Sequence, residues 1–331
     1  MTDAPLLAIR DLYLSFKLYE GEARVLNGVS LTVRSGERVG LVGESGCGKS
    51  LTARAVLGLL TQRNITQSGT IEFCGQNLFA IHKKHWRALR GRQMSMIFQD
   101  PTAALNPVFT VADQMVEVIM RGGKVRTRND ALEIAREGLK RVSIDDPERV
   151  LRSYPFQLSG GMSQRVMITM ALANNPDLVM ADEPGTSLDV TIQEQTLRLM
   201  ATLTRESGAA VLLIAHNLGV IRQFCERVYV MYAGMIAEEG RVEDVFREPL
   251  HPYTKALFAA VPRLSGGGLP KPIEGVIPDY TEAPQGCRFN TRCPMATDAC
   301  RQEPPWVEVS PGRRVKCVLY AQKPTARPAY V

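Results

Sequence analysis

An α/β fold with a buried parallel sheet is predicted by three features of the sequence. Residues 38–42 form a short apolar run, and 178–181 and 210–214 are continuous apolar runs of the kind expected of strands covered on both faces. An amphipathic stretch, 191–206, separates the last two and stops at Gly208, as a crossover helix does. The first run enters a glycine-rich loop followed by a helical pattern over 49–60, and strand, helix, strand repeated in this way is α/β architecture.

The other elements follow in order. Residues 6–14 and 29–33 read as strands, with Ser35-Gly36 as the turn after the second. Residues 68–73 and 95–98 are further strands. Between 108 and 153 the pattern is helical and charged, which predicts an inserted helical subdomain, about 100–165 in all. Residues 228–232 and 235–238 flank Ala233-Gly234 as a hairpin. After about Pro249 proline and glycine become frequent (Pro262, Gly266, Pro270, Pro272, Pro278, Pro284) and apolar periodicity fades. The expected division is a main domain over 1–250 and a C-terminal extension over 251–331.

The 331 residues, 45% hydrophobic and 22% charged, suit a globular protein. The net charge of +6 comes from scattered Lys and Arg that form no stripe, so no nucleic-acid surface is expected. No run reaches the roughly 18 apolar residues of a membrane span, and the best stretch, 209–221, is broken by His216 and Asn217. The start carries Asp3 and Asp11 and lacks the basic region of a signal peptide. A cytoplasmic chain is expected, unless a partner holds it at a membrane.

The chemistry is concentrated in a few stretches. Gly43-Glu44-Ser45-Gly46-Cys47-Gly48-Lys49-Ser50-Leu51 matches the phosphate-loop pattern between a strand and a helix. Glycines let successive N–H groups curl around a polyphosphate, and the following helix points its positive end at the same anion. Lys49 is expected to reach the β- and γ-phosphates, and the Ser50 hydroxyl to bind Mg²⁺. The run 178–181 ends at Asp182-Glu183. A carboxylate leaving a buried strand suits Mg²⁺, which is the role expected of Asp182; Glu183 stands where it would orient the attacking water. A surface Asp-Glu pair is the plain alternative, although such pairs rarely follow four apolar residues.

Leu158-Ser159-Gly160-Gly161-Met162-Ser163-Gln164-Arg165 is a second anion-type site, a hydroxyl and free N–H groups opening a helix. A helix cap explains Ser159 alone but not a second phosphate-type site in one chain. With these motifs the chain resembles the ABC ATPase family over roughly residues 5–250. The resemblance implies a P-loop (RecA-like) core with an antiparallel β-subdomain and an inserted helical subdomain. It implies that Ser159, Gly160, Gly161 and Gln164 act on ATP held by a second ATPase subunit. It also implies that Gln99 senses Mg²⁺ and water, that Asp189 in Ser187-Leu188-Asp189 lies at the dimer seam, and that His216 contacts the γ-phosphate. An aromatic stacked on adenine is expected before the phosphate loop, Tyr19 first and Phe16 as the alternative.

Finer matches narrow the branch. Gln99-Asp100-Pro101, Leu105-Asn106-Pro107, Leu188-Asp189-Val190-Thr191-Ile192-Gln193, Tyr232-Ala233-Gly234 and His251-Pro252-Tyr253-Thr254 resemble the dipeptide, oligopeptide and nickel importers. That branch implies peptide import, with nickel, glutathione or opine-type solutes as alternatives. It implies a heterodimer of ATPases, two membrane permease subunits, an extracytoplasmic solute-binding protein, and a place on the cytoplasmic face of the membrane. Gly185 and Asn217 depart from the usual threonine and aspartate without removing a catalytic group. A soluble, non-transport ABC ATPase would need a coiled coil or second cassette, and neither is present; a plain P-loop kinase would leave 158–165 unexplained.

Cys287, Cys293, Cys300 and Cys317 crowd the proline-rich tail, while Cys47, Cys74 and Cys225 are scattered. Four thiolates can order such a segment around a metal, and disulfides are disfavoured in a reducing compartment. The tail resembles the C-terminal [4Fe-4S] site of some peptide-importer ATPases; zinc and free thiols are the alternatives.

Overall fold

The computed structural model describes residues 4–185, 189–261 and 272–321. Among them the strands are β1 (Leu7–Leu18), β2 (Gly21–Val33), β3 (Arg38–Val42), β4 (Ile65–Phe73), β5 (Gln76–Asn77), β6 (Met94–Ile97), β7 (Leu178–Asp182), β8 (Ala210–Ala215), β9 (Arg227–Tyr232), β10 (Met235–Arg241), β11 (Trp306–Ser310) and β12 (Arg313–Lys316). The helices are α1 (Lys49–Val56), α2 (Lys83–Leu89), α3 (Pro101–Ala104), α4 (Val111–Gly122), α5 (Arg128–Arg141), α6 (Pro147–Arg152), α7 (Gly160–Leu172), α8 (Val190–Ser207), α9 (Leu218–Phe224), α10 (Val242–Arg247), α11 (Pro252–Ala259) and α12 (Val318–Ala321). They fall into two compact units that interleave along the chain.

One unit comprises Val33–Arg38 and Asn77–Ala215 together with the first residues of the chain. Its sheet is parallel, with β7 between β6 and β8. The residues Leu178 to Ala181 and Ala210 to Ile214 are fully buried, which is why these strands read as unbroken apolar runs. The helical insertion is amphipathic: α4 buries Val111, Met115, Val116 and Ile119, and α5 buries Ala131, Ala135 and Leu139. Thr110, Thr127, Asp146 and Ser159 cap α4, α5, α6 and α7 by accepting a backbone N–H, each contributing about 1 kcal/mol.

The other unit comprises Leu7–Thr32, Val39–Gln76 and His216–Val331. It holds an antiparallel sheet ordered β2-β1-β4-β5. Strands β1 and β2 run well past the predicted 6–14 and 29–33, so the segment around Tyr19 and Glu20 is the turn of a long hairpin. Its second sheet pairs β3 with β9 in parallel, then β9 with β10, β10 with β12 and β12 with β11 antiparallel. The hairpin turn at Ala233 (φ 42°) and Gly234 (φ 79°) has the two left-handed residues of a type I′ turn. A Cβ at Gly234 would lie 1.8 Å from the Val25 carbonyl oxygen, so only glycine fits.

Within the C-terminal segment, β11 and β12 lengthen the sheet of β10, and Val315 and Cys317 pack on Leu250. The sequence hides these strands because β12 carries paired charge at two buried positions, Arg313 and Lys316. Arg313 faces the fully buried Glu238 at 3.6 Å, and Lys316 donates to Glu303 at 2.8 Å. A strand buried at an Arg and a Lys, one on each face, does not show apolar alternation.

Candidate functional site

The loop between β3 and α1 is shaped by left-handed glycines: Gly43, Gly46 and Gly48 have φ of 156°, 82° and 108°. A Cβ at Gly43 would sit 2.1 Å from the Met231 carbonyl oxygen, and one at Gly48 2.6 Å from Leu26. The curl is closed from within. Lys49, 5% exposed, donates to the carbonyls of Gly43 (2.8 Å) and Glu44 (3.0 Å). Ser50 and Leu51 follow in the first turn of α1, half-buried, and Ser45 is exposed. Cys47 is buried, and burial raises its thiol pKa.

Other side chains of the same unit hold the loop from outside. The fully buried Tyr253 hydroxyl accepts the Glu44 N–H at 2.9 Å, the Gly234 N–H donates to the Cys47 carbonyl at 2.8 Å, and the Tyr280 hydroxyl donates to the Gly46 carbonyl at 2.7 Å. Arg292 grips the Glu44 carboxylate with both arms, at 2.9 and 3.2 Å. His251 caps α11 with Nδ1 accepting the Tyr253 N–H at 3.0 Å, and burial lowers its pKa to about 4. Sequence reasoning missed Tyr280 and Arg292 altogether. It noticed Tyr253 only inside the His-Pro-Tyr-Thr stretch, which is its one local signal.

Asp182 and Glu183 belong to the other unit. Asp182 ends β7 and is 5% exposed. Glu183 follows in the left-handed region (φ 47°), its N–H bonded to the Ile214 carbonyl at 2.8 Å. Such a conformation in a non-glycine residue costs about 1–3 kcal/mol and typically marks a working position. The Gln99 amide donates to the Glu183 carboxylate at 3.0 Å, so these two predicted residues are brought together. Gly185 has φ 87°, so glycine here serves a turn that threonine would strain.

Ser159 caps α7 by accepting the Met162 N–H at 3.3 Å; Ser159 and Gly160 are exposed and Gly161 is half-buried. Gln164 is placed differently: it is fully buried, and neither amide atom has a hydrogen-bond partner among the described residues. Asp189 is exposed and caps α8 by accepting the Ile192 N–H at 3.0 Å; its neighbours Ser187 and Leu188 lie outside the described residues. His216 is exposed just after β8, and Asn217 caps α9, accepting the Gly219 N–H at 2.9 Å. That cap gives Asn217 a local role an aspartate would equally fill. Tyr19 lies wholly exposed in the β1–β2 turn, whereas Phe16 is half-buried on β1.

Cys287, Cys293, Cys300 and Cys317 line one cavity, together with His251 and Met295. Burial raises the pKa of Cys293 and Cys317 and pushes Cys287 up to about 11. Among the described residues no three His, Cys, Asp or Glu side chains converge closely enough to hold a metal ion. No described helix is long and apolar enough to cross a membrane.

Comparison with known proteins accounts for both units. A family model described as ABC transporter matches residues 26–186, and one described as the oligopeptide/dipeptide transporter C-terminal region matches 237–300. The chain is 48% identical to the probable peptide ABC transporter ATP-binding protein y4tR of Sinorhizobium fredii, covering 94% of each. It is 43% identical to the dipeptide transport ATP-binding protein DppD of Bacillus subtilis, over 96% of this chain and 95% of that one. It is 42% identical to the oligopeptide transport ATP-binding protein OppD of Salmonella typhimurium, over 94% and 93%. Among solved structures, the ATP-binding cassette MJ0796, dimeric and bound to ADP and Pi, matches with a TM-score of 0.62 at 27% identity, over 71% of this chain and 98% of that one. With a phosphate loop after β3, a carboxylate pair ending β7, and relatives matched nearly end to end, the chain belongs to the ATP-binding subunits of ABC transporters, in their oligopeptide and dipeptide branch.

Proposed function

We propose that this chain binds Mg-ATP on residues 43–51 and hydrolyses it to energise uptake of di- or oligopeptides through membrane permease subunits. The observation that carries the reading is the phosphate loop itself, closed on the Lys49 ammonium and too tight at Gly43 and Gly48 for any side chain. A triphosphate would take over the Lys49 ammonium from the two carbonyls and gain the loop's N–H groups. Ser50, Asp182 and Gln99 would hold Mg²⁺, which supplies charge neutralisation between the phosphates. Glu183 would orient the attacking water, and Gln99, already bonded to it, would report on the occupied site. His216 would meet the γ-phosphate, and Tyr19 or Phe16 would stack on adenine.

Hydrolysis then depends on a second cassette. Ser159 and Gly160 are exposed at the start of α7, where their donors face outward to a partner's nucleotide, with Gly161 and the Asp189 seam beside them. The partner is a second ATPase subunit in a heterodimer. The exposed apolar side chains Val108, Phe109, Tyr154 and Phe156 of the helical insertion suit docking to the permeases at the cytoplasmic face, with the solute-binding protein on the far side. In the transporter reconstituted in vesicles, Ser159→Arg is expected to leave nucleotide binding to this subunit intact and to abolish ATP-driven peptide uptake. Uptake at the wild-type rate in that variant would refute the shared site.

The four tail cysteines are read as holding a [4Fe-4S] cluster. Support comes from the donor set: four thiols, those of Cys300 and Cys317 buried and those of Cys287 and Cys293 half-buried, line one cavity, and iron would convert each to a stabilised thiolate. A cluster there would tie the turn after Cys287 to the strand end at Cys317. Anaerobically purified protein should contain about four iron and four sulfide per chain; zinc alone, or neither, would replace this reading.

A further inference from the structure

We infer that Arg292, from the C-terminal segment, is a positioning residue for the nucleotide site, acting through Glu44 of the phosphate loop. The inference rests on the reading of residues 43–51 as the nucleotide loop. Its ground is how completely Arg292 is built in. The side chain is 4% exposed, and each of its five N–H donors has a partner. Nε donates to the Glu274 carbonyl at 2.8 Å. One terminal nitrogen serves a Glu44 oxygen at 2.9 Å and the Tyr232 hydroxyl at 3.3 Å. The other serves the second Glu44 oxygen and the Ile273 carbonyl, both at 3.2 Å. A guanidinium so fully engaged fixes the place and plane of the carboxylate it grips.

Glu44 needs such a grip because of its position. It is the second residue of a loop shaped to surround a polyanion, and an unpaired carboxylate there would repel the triphosphate. Arg292 neutralises that charge and draws the carboxylate toward the segment 273–292. The backbone on either side is held as well, by Tyr253 at the Glu44 N–H and by Tyr280 at the Gly46 carbonyl. Arg292 itself is placed by the turn between Cys287 and Cys293, where its N–H bonds to the Phe289 carbonyl at 3.0 Å and Phe289 is buried against Tyr232 and Tyr253. The C-terminal segment is therefore part of the nucleotide site's support.

The test uses the full chain and five variants, with Mg-ATP affinity and thermal midpoint measured for each. Arg292→Gln is expected to weaken Mg-ATP binding about tenfold in the native background and less than twofold in a Glu44→Gln background, because the repelling charge is then gone. Arg292→Lys, which keeps the charge but loses the fork, should fall between, at roughly threefold, and decides the matter if Arg292→Gln does not fold. A purely structural arginine would lose the same affinity in both backgrounds, since its bonds to Ile273, Glu274 and Tyr232 do not involve Glu44. Equal losses in the two backgrounds, or no loss with either variant, would overturn the inference. Lys49→Ala separates the two levels: undiminished binding there would sink the loop assignment itself, while lost binding with background-independent Arg292 effects would sink this inference alone.

Discussion

The phosphate loop and the carboxylate end of β7 are held in opposite ways. The loop is bound by an ion pair, two tyrosine hydroxyls, a backbone bond from Gly234 and its own lysine. Glu183 leaves its strand in a left-handed conformation, and its carboxylate is met by the neutral amide of Gln99. The first arrangement is preorganised for binding an anion, because the loop's dipoles need no rearrangement when the phosphates arrive. The second suits a group that takes up its working geometry only in the closed dimer, since one amide donor is exchanged more readily than a two-armed ion pair. Binding and turnover should therefore be separable by mutation.

The largest effect is expected at the strand end. Glu183→Gln should lower ATP turnover in the assembled transporter by about 10²–10⁴-fold while nucleotide affinity stays near normal, as steady-state hydrolysis and equilibrium binding would measure. Near-normal turnover would remove Glu183 from its role and the comparison with it. On the loop side, Gly234→Ala forces a methyl group into the Val25 carbonyl and should destabilise the protein by about 3 kcal/mol or more in denaturant unfolding. Because the Gly234 N–H holds Cys47, nucleotide affinity should fall with it.

A smaller, pH-dependent effect sharpens the same contrast. His251 stands behind Tyr253 and stays neutral when folded, its pKa lowered to about 4 by burial. As the pH falls from about 6.5 to 4, the unfolded chain takes up a proton at this histidine and the folded chain does not. Stability is then lost at about 1.4 kcal/mol per pH unit across that window. Burial raises the pKa of the neighbouring Glu238, which acts in the opposite sense and is present in either protein. His251→Asn retains a capping acceptor but no titrating ring, so its unfolding free energy should fall less steeply over that range than the wild type's.

The sequence was most legible where function is carried by short contiguous stretches. Strand β3, the loop and the start of α1 follow from apolar run, glycines and lysine, and the Ala233-Gly234 hairpin follows from its turn residues. The helix α1 stops at Val56, four residues before the predicted end, because glycine follows at Gly58 in a left-handed turn. What could not be read is contact between distant segments. Arg292 lies 248 residues from Glu44, and nothing local distinguishes it from any other tail arginine. The same holds for β12, where paired buried charges imitate a solvated stretch. At Gln164, too, the motif does not reveal the packing: the helix α7 turns this side chain into the core.

The most direct measurement sets Arg292→Gln beside Glu183→Gln in the assembled transporter, recording Mg-ATP affinity and maximal turnover for both. The account predicts a crossed pattern: the arginine variant loses affinity and keeps its turnover at saturation, and the glutamate variant loses turnover and keeps its affinity. If either substitution moved both quantities together, the division between a preset binding loop and a separately armed carboxylate would be contradicted.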